Sequence, residues 1–93
     1  MPHTADFALI DRFLEMMAAE AGASRNTLMA YQGDLIAASE ILKGQLGKAN
    51  AETLSLLSAA WSDLANSTLA RKSASLRRFF GFLADEGLRS DDP

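Results

Sequence analysis

Residues 24–44 read SRNTLMAYQGDLIAASEILKG and carry a helix start, an apolar repeat and a glycine stop. Ser24 is a favoured N-cap residue, and Thr27 stands where a side chain can reach back to the cap. Gly44 interrupts the pattern at the other end. Between them, apolar side chains recur at the alternating spacings that define one buried helix face: Leu28, Tyr31, Leu35, Ala38 and Leu42. The segment therefore predicts a helix over residues 24–43.

The composition of the whole chain also favours helix. Of the 93 residues, 48% are hydrophobic, Gly and Pro are sparse, and the alternation typical of strands is absent. A chain of this length forms one domain rather than two, and its fold depends on a few well-packed helices. We therefore expect one all-α domain over residues 1–93, a compact orthogonal bundle of four helices.

A first helix is predicted before the opening segment, over residues 5–21. Asp6 lies in its first turn, where a carboxylate suits the positive end of the helix dipole, and Gly22 ends it as a left-handed cap. We expect its core face to carry Phe7, Ile10, Leu14 and Met17, a stripe that Leu9, Phe13 and Met16 widen.

Two more helices are predicted after the opening segment. The third begins near Asn50 and ends between residues 63 and 67, because the polar residues 66–68 are expected to cap the next helix. The fourth covers residues 68–86 and ends at Gly87. Its predicted core face consists of Leu69, Leu76, Phe80 and Leu83.

The fourth helix also concentrates positive charge. The net charge of −3 does not suggest nucleic-acid binding, since proteins that bind polyanions are usually basic. Between residues 66 and 82, however, four basic residues occur with no acid. Such a face is by itself more often solvated surface, but ordinary surface helices mix charge signs. At 100° per residue, the side chains on one face, suited to phosphate oxygens and guanine edges, are Thr68, Arg71, Lys72, Ser75 and Arg78.

The start of the second helix is another candidate anion site. Helix capping explains Ser24 and Thr27, but it does not explain Arg25, whose charge is unfavourable at a helix N-terminus unless an anion binds there. Asn26 adds an amide at the same end. Met29 and Gln32 continue outward beside Arg25 on the same helix face.

Two motifs in this chain resemble those of a known family. The first motif, S-x-N-T-x-x-x-Y-x-x-D-L, is typical of the phage-integrase N-terminal SAM-like domain and is matched from Ser24 to Leu35. A second set of residues resembles another motif of the family: Thr68, Arg71, Ser75-Leu76-Arg77 and Phe79-Phe80. Glu86-Gly87 and Asp92-Pro93 resemble the end of the family's domain. The resemblance covers nearly the whole chain. Within the family, the chain looks most similar to Xer-like tyrosine recombinases and integrases.

The resemblance implies the DNA-binding domain of a site-specific tyrosine recombinase, a SAM-like bundle that clamps a recombination half-site through its second and fourth helices. It implies that Thr27 contacts phosphate, that Met29 or Ala30 approaches the groove, and that Arg77 matches a recurrent family arginine. The helical wheel places Arg77 away from Thr68, so Arg77 either braces the fold or reaches a neighbouring phosphate. The implied partners are double-stranded DNA and other recombinase protomers on that DNA, and we expect the isolated domain to be a monomer.

Several other kinds of site are not expected. Without cysteine, disulfides and thiolate zinc sites are excluded, and the single histidine, His3, is interpreted as a surface residue. Tyr31 is interpreted as a core aromatic and not as a nucleophile, because no basic set surrounds it in the sequence. The family's catalytic residues belong to a second domain, so we expect no catalysis, no cofactor and no metal here. With no membrane span and no secretory signal, a cytoplasmic protein is expected.

Two alternatives remain open at the level of the sequence. One is a helical protein-interaction module, whose apolar stripes serve a partner and whose basic face is incidental. The other is a small enzyme, which is the weakest interpretation because no paired carboxylates, metal cluster or nucleophile–base set emerges. Asp91 and Asp92 are adjacent but lie in the exit segment before Pro93, where solvated charge is the default.

Overall fold

The predicted all-α class is confirmed by a computed structural model, which describes residues 4–91. Within that range there are helices and turns but no strand. His3, Asp92 and Pro93, for which a surface position and a linker start were expected, lie outside the described residues. The helices are α1 (Thr4–Ala19), α2 (Arg25–Ile41), α3 (Ala51–Ala60) and α4 (Asn66–Asp85), and a short 3₁₀ helix (Leu46–Lys48) joins α2 to α3.

Most of the predicted helix ends are confirmed. Ser24 is the N-cap of α2, and its hydroxyl oxygen accepts a 3.2 Å hydrogen bond from the Thr27 backbone N–H. Asn50 caps α3 in the same way through a 2.8 Å bond from the Thr53 N–H. Gly22 and Gly87 have positive φ angles of 63° and 70°, the left-handed geometry that glycine adopts without steric cost.

The junction between α3 and α4 differs from the prediction. The polar residues 66–68 do not cap α4: its N-cap is Ala65, whose side chain can accept no hydrogen bond, and α4 begins at Asn66. In addition, α3 ends at Ala60 instead of between residues 63 and 67, because the backbone then changes to turn-type bonds, from the Ser62 N–H to the Ala59 carbonyl and from the Leu64 N–H to the Trp61 carbonyl. The first turn of α4 therefore starts without a side-chain cap.

The core is centred on aromatic side chains from α1 and α4. The Phe13 ring lies 5.7 Å from that of Phe79 and 5.8 Å from that of Phe82, while Phe79 meets Phe80 at 5.4 Å. Such edge-on and tilted pairs are the favoured aromatic geometries. On α4 the buried positions include Phe79 and Phe82 beside the predicted Phe80 and Leu83, whereas Leu69 and Leu76 are only partly buried.

The buried face of α1 is rotated from the predicted stripe. The prediction placed Phe7 and Leu14 towards the core, but Phe7 is exposed and Leu14 is partly buried. The buried residues instead follow the order Asp6, Ile10, Phe13 and Met17, which has the same helical spacing. A carboxylate thus occupies the first core position of α1, a place that hydropathy alone assigns to an apolar residue.

Asp6 is satisfied there by three donors. Its carboxylate accepts the Ser39 hydroxyl from α2, the Leu46 N–H at 2.9 Å and the Gly47 N–H at 3.0 Å. It therefore binds the first turn of the 3₁₀ helix and ties α1 to the α2–α3 connection. The 3₁₀ helix packs closely against α1, since a Cβ at Gly47 would lie 2.7 Å from the Leu9 side chain.

The chain leaves α4 along the same corner of the molecule. The Arg89 guanidinium donates a 3.1 Å bond to the Gly47 carbonyl and lies 5.2 Å from the centre of the Phe80 ring. It also binds both carboxylate oxygens of Asp91, and this hydrogen bonding lowers the pKa of Asp91 below its ordinary value. Asp91 is therefore paired with Arg89, although it is exposed as predicted.

We predict that Asp6→Ala lowers the free energy of unfolding by about 3 kcal/mol, because it orphans buried donors that cost roughly 1–3 kcal/mol each. Urea denaturation at neutral pH measures the change. Asp11→Ala removes an exposed carboxylate from the same helix and should change stability by less than about 0.5 kcal/mol. Equal effects of the two substitutions would contradict the role assigned to Asp6.

Candidate nucleic-acid interface

An ion cluster around one buried carboxylate joins α2 to α4. The Asp34 side chain of α2 is only 2% exposed, and it accepts two hydrogen bonds from Arg71 of α4, from Nε at 2.9 Å and from an Nη at 2.7 Å. Lys72 adds a third bond through its Nζ at 3.1 Å. The hydrogen bond to Asp34, supported by its charge, raises the pKa of Arg71 above its ordinary value. The cluster aligns the two helices that were predicted to contact DNA.

Lys72 is not the solvated cation that the helical wheel predicted. Its side chain is only 12% exposed, and its ammonium lies 4.7 Å from the centre of the Trp61 ring. This cation–π contact adds the end of α3 to the cluster. Lys72 therefore holds three helices together. The prediction that its side chain faces outward is wrong, because most of that side chain is enclosed.

Ser75 also departs from the prediction. It is fully buried, and its hydroxyl donates a 2.8 Å bond to the Lys72 carbonyl of its own helix. Ser75 lies outside the predicted apolar stripe of α4. It is buried because neighbouring helices cover more of the surface of α4 than that stripe alone. Direct contact between Ser75 and DNA is excluded in this conformation.

The remaining predicted residues of α4 reach solvent to different degrees. Arg71 keeps 46% of its side chain exposed although it binds Asp34. Arg77 and Arg78 are exposed and line a shallow cleft with Tyr31 and Ala74, so Arg77 lies at the seam of α2 and α4. Tyr31 itself packs partly against the core, as predicted. Thr68 is partly buried in the first turn of α4.

The start of α2 has the exposed character that was predicted. Arg25, Asn26 and Gln32 are exposed, and the Met29 side chain is an apolar group that remains 60% exposed. Thr27 is partly buried, and its hydroxyl accepts a 3.0 Å bond from that of Ser24. The first turn of α2 carries no acidic residue, and the same holds for α4.

The cations of this surface fall into two groups. Of the cations on this surface, all of them within residues 4–91, Arg71 and Lys72 form ion pairs, whereas Arg25, Arg77 and Arg78 form none. We define the α2–α4 face as the exposed surface formed by the start of α2 and the outer side of α4. Its unpaired cations can bind phosphate without first breaking an internal contact.

The side of α4 that adjoins α1 has a different charge. A groove between α1 and α4 has an apolar floor that includes Met17 and Phe82. Four carboxylates and two guanidinium groups line this acidic groove: Glu15, Glu20, Asp85 and Glu86, with Arg12 and Arg78. Carboxylates therefore outnumber guanidinium groups in this groove, and Arg78 lies between the groove and the α2–α4 face.

Sequence reasoning did not identify Asp34 as part of the site. Asp34 and Arg71 both appeared in the family motifs. The prediction gave the aspartate no structural role and took the arginine to be a cation without an internal partner. The available signal was an acid directly before Leu35 of the predicted buried helix face, together with an arginine 37 residues later on another helix. Burial of a carboxylate requires such a partner.

Two other kinds of feature are absent from residues 4–91. No group of His, Asp and Glu side chains in that range could hold a metal ion. No helix in the same range is long and apolar enough to cross a membrane.

Comparison with known families gives one match, the phage integrase N-terminal SAM-like domain, over residues 10–87. This covers most of the chain, and the chain belongs to that family. It corresponds to the N-terminal, non-catalytic domain, as the motifs indicated. No solved structure matched the chain.

Curated relatives agree with this assignment. The chain is 58% identical over 86 residues to tyrosine recombinase XerC of Erythrobacter litoralis, covering 92% of this chain and 28% of the relative. It is 46% identical over 89 residues to tyrosine recombinase XerD of Brucella abortus, covering 90% and 29%. The XerD of Agrobacterium fabrum is 45% identical over 93 residues, covering 95% and 28%. The chain thus spans less than a third of each of these relatives.

We predict that Asp34→Ala destabilises the domain by about 3 kcal/mol, because it leaves the largely enclosed Lys72 ammonium without its counter-ion. Chemical denaturation followed by circular dichroism measures the loss. Glu40→Ala, an exposed acid on the same helix, is the matched control and should have little effect. A domain as stable without Asp34 as with it would show that the cluster does not hold α2 against α4.

Proposed function

We propose that this chain is the DNA-binding domain of a site-specific tyrosine recombinase, and that it clamps a recombination half-site through α2 and α4. The observation that carries the proposal is the α2–α4 face. Unpaired guanidinium groups lie at the start of α2 and on α4, the two helices that the Asp34 cluster joins, and the first turn of neither helix carries an acidic residue. Backbone N–H groups at helix starts and arginine side chains are among the groups that bind DNA phosphates.

Family membership supports the same proposal. The relatives named above are tyrosine recombinases, and this chain matches the N-terminal domain of their family. In the proposed arrangement this domain positions the protein on double-stranded DNA beside other recombinase protomers. The chemical step belongs to the catalytic domain that the family carries elsewhere. A cytoplasmic location follows from the same assignment.

The structure changes the list of proposed contacts. Ser75 is omitted because it is buried, and Lys72 is assigned to the Asp34 cluster with at most a minor phosphate contact. Met29 is an exposed apolar group among polar neighbours and suits contact with a thymine methyl in the major groove. The residues proposed to contact DNA are Arg25, Asn26, Thr27, Met29, Gln32, Thr68, Arg71, Arg77 and Arg78.

Affinity of the separate domain for DNA should be weak and strongly dependent on salt. The net charge of −3 provides no general attraction to a polyanion, so binding relies on the local cations of the α2–α4 face. Each phosphate neutralised contributes about −0.9 to the slope of log affinity against log salt concentration.

Amide chemical-shift mapping with a titrated DNA duplex at low salt tests the proposed surface. We expect the perturbed amides to cluster in residues 24–33 and 66–78. Perturbations elsewhere, or none at low salt, would contradict the proposal. The alternative, a helical protein-interaction module, has one favourable observation, a cleft lined by the exposed apolar side chains of Ile41 and Leu56.

Charge at the start of α2 gives a sharper prediction. Arg25→Gln should weaken DNA binding and reduce the magnitude of the salt slope by about 0.9, because one phosphate contact is lost. Fluorescence anisotropy with a labelled duplex over a range of salt concentrations measures both quantities.

Lys43→Gln is the matched control for Arg25→Gln. It removes the same charge beyond the other end of α2, roughly 25 Å away at 1.5 Å per residue. The salt slope of this variant should equal that of the unmodified domain. Identical losses from the two substitutions would indicate a general charge effect and would argue against a contact at Arg25.

A further inference from the structure

The guanidinium group of Arg71 has two edges with different surroundings. An arginine carries five N–H donors in a fixed planar fork. Here the edge formed by Nε and one Nη is bound to the two carboxylate oxygens of Asp34. The edge formed by the two Nη nitrogens points away from that carboxylate, and nearly half of the side chain remains in contact with solvent.

We infer that Asp34 is a positioning residue of the DNA-binding face, holding Arg71 so that its outer edge takes a pair of acceptor atoms on DNA. The inference rests on the proposed function. Such a pair is either two oxygens of one phosphate or N7 and O6 of one guanine, since both match the spacing of the guanidinium fork. The carboxylate itself touches no DNA in this arrangement.

The geometry of the cluster makes Asp34 a rigid support. Its side chain is buried, and its Oδ1 accepts bonds from both Arg71 and Lys72. Lys72 is fixed in turn against the Trp61 ring at the end of α3. The Arg71 side chain is therefore ordered before any DNA arrives. Less rotamer freedom is lost on binding, which is how preorganisation increases affinity.

The electrostatic effect of Asp34 on DNA affinity is opposite to the effect of positioning Arg71. A carboxylate close to a DNA-binding surface repels phosphate, and its removal would add one unit of positive charge to that surface. If charge alone mattered, Asp34→Asn would bind DNA more tightly. If Asp34 positions Arg71, the same substitution binds DNA more weakly. The direction of the change therefore separates the two explanations.

The test compares Asp34→Asn with the unmodified 93-residue chain in duplex-binding titrations by fluorescence anisotropy. Circular dichroism first establishes a temperature at which both proteins are folded. We expect the affinity of Asp34→Asn to fall by about fivefold or more, the lower range for a compromised bidentate contact. Glu40→Gln makes the same charge change at an exposed site on α2 and should bind at least as tightly as the unmodified chain.

A double-substitution cycle with Arg71→Ala shows whether Asp34 acts through Arg71. A purely structural role predicts that Asp34→Asn causes the same loss in both backgrounds. The positioning role predicts little further loss once Arg71 is absent. Unchanged or tighter binding by Asp34→Asn, or a loss undiminished in the Arg71→Ala background, would overturn the inference. Failure of the unmodified chain to bind any duplex would instead overturn the proposed function.

A second duplex composed only of A·T pairs identifies the acceptor. If Arg71→Ala loses the same factor of affinity on this duplex and on one containing G·C pairs, the outer edge binds phosphate. If the loss occurs only on the duplex containing G·C pairs, it binds guanine. Either result supports the inference, whereas no loss on both duplexes contradicts it.

Discussion

The contact on which the rest of the arrangement depends is the one between Asp34 and the two cations of α4. A carboxylate withdrawn from water is stable only if donors surround it, and here they come from Arg71 and Lys72. That requirement fixes the rotation and the height of α4 against α2. The aromatic core of Phe13, Phe79 and Phe82 adds hydrophobic stabilisation, but apolar contacts alone tolerate small shifts between helices.

A second buried carboxylate has the corresponding effect at another corner. Asp6 collects donors from α2 and from the 3₁₀ helix, so the position of α1 depends on the α2–α3 connection. A domain of this size buries a limited fraction of its surface. Two carboxylates, each with donors that only one arrangement supplies, therefore restrict how the four helices pack. Near the proposed interface the same chemistry also restricts the Arg71 side chain, which is proposed to contact DNA.

Local signals in the sequence were sufficient for the order and most of the ends of the helices. Ser24, Asn50, Gly22 and Gly87 act through their immediate neighbours, so their roles follow from short-range rules. The predicted start of α4 was wrong because the three polar residues 66–68 were equally suitable as caps, whereas the observed N-cap is Ala65. Asp6, Asp34 and Ser75 could not be placed in this way, since their burial depends on segments far along the chain. Which cations of the proposed site are free and which are engaged was determined by those same distant contacts.

The separation of charge across α4 has a consequence for how the domain approaches a polyanion. Unpaired cations lie on the α2–α4 face, while the acidic groove between α1 and α4 carries four carboxylates and only two guanidinium groups. A body with this distribution has an electric dipole moment, and the field around a DNA duplex exerts a torque on it before contact. Approach with the acidic groove forward is repelled, and approach with the cations forward is favoured. The overall negative charge then lowers the number of encounters, whereas the uneven distribution of charge selects their orientation.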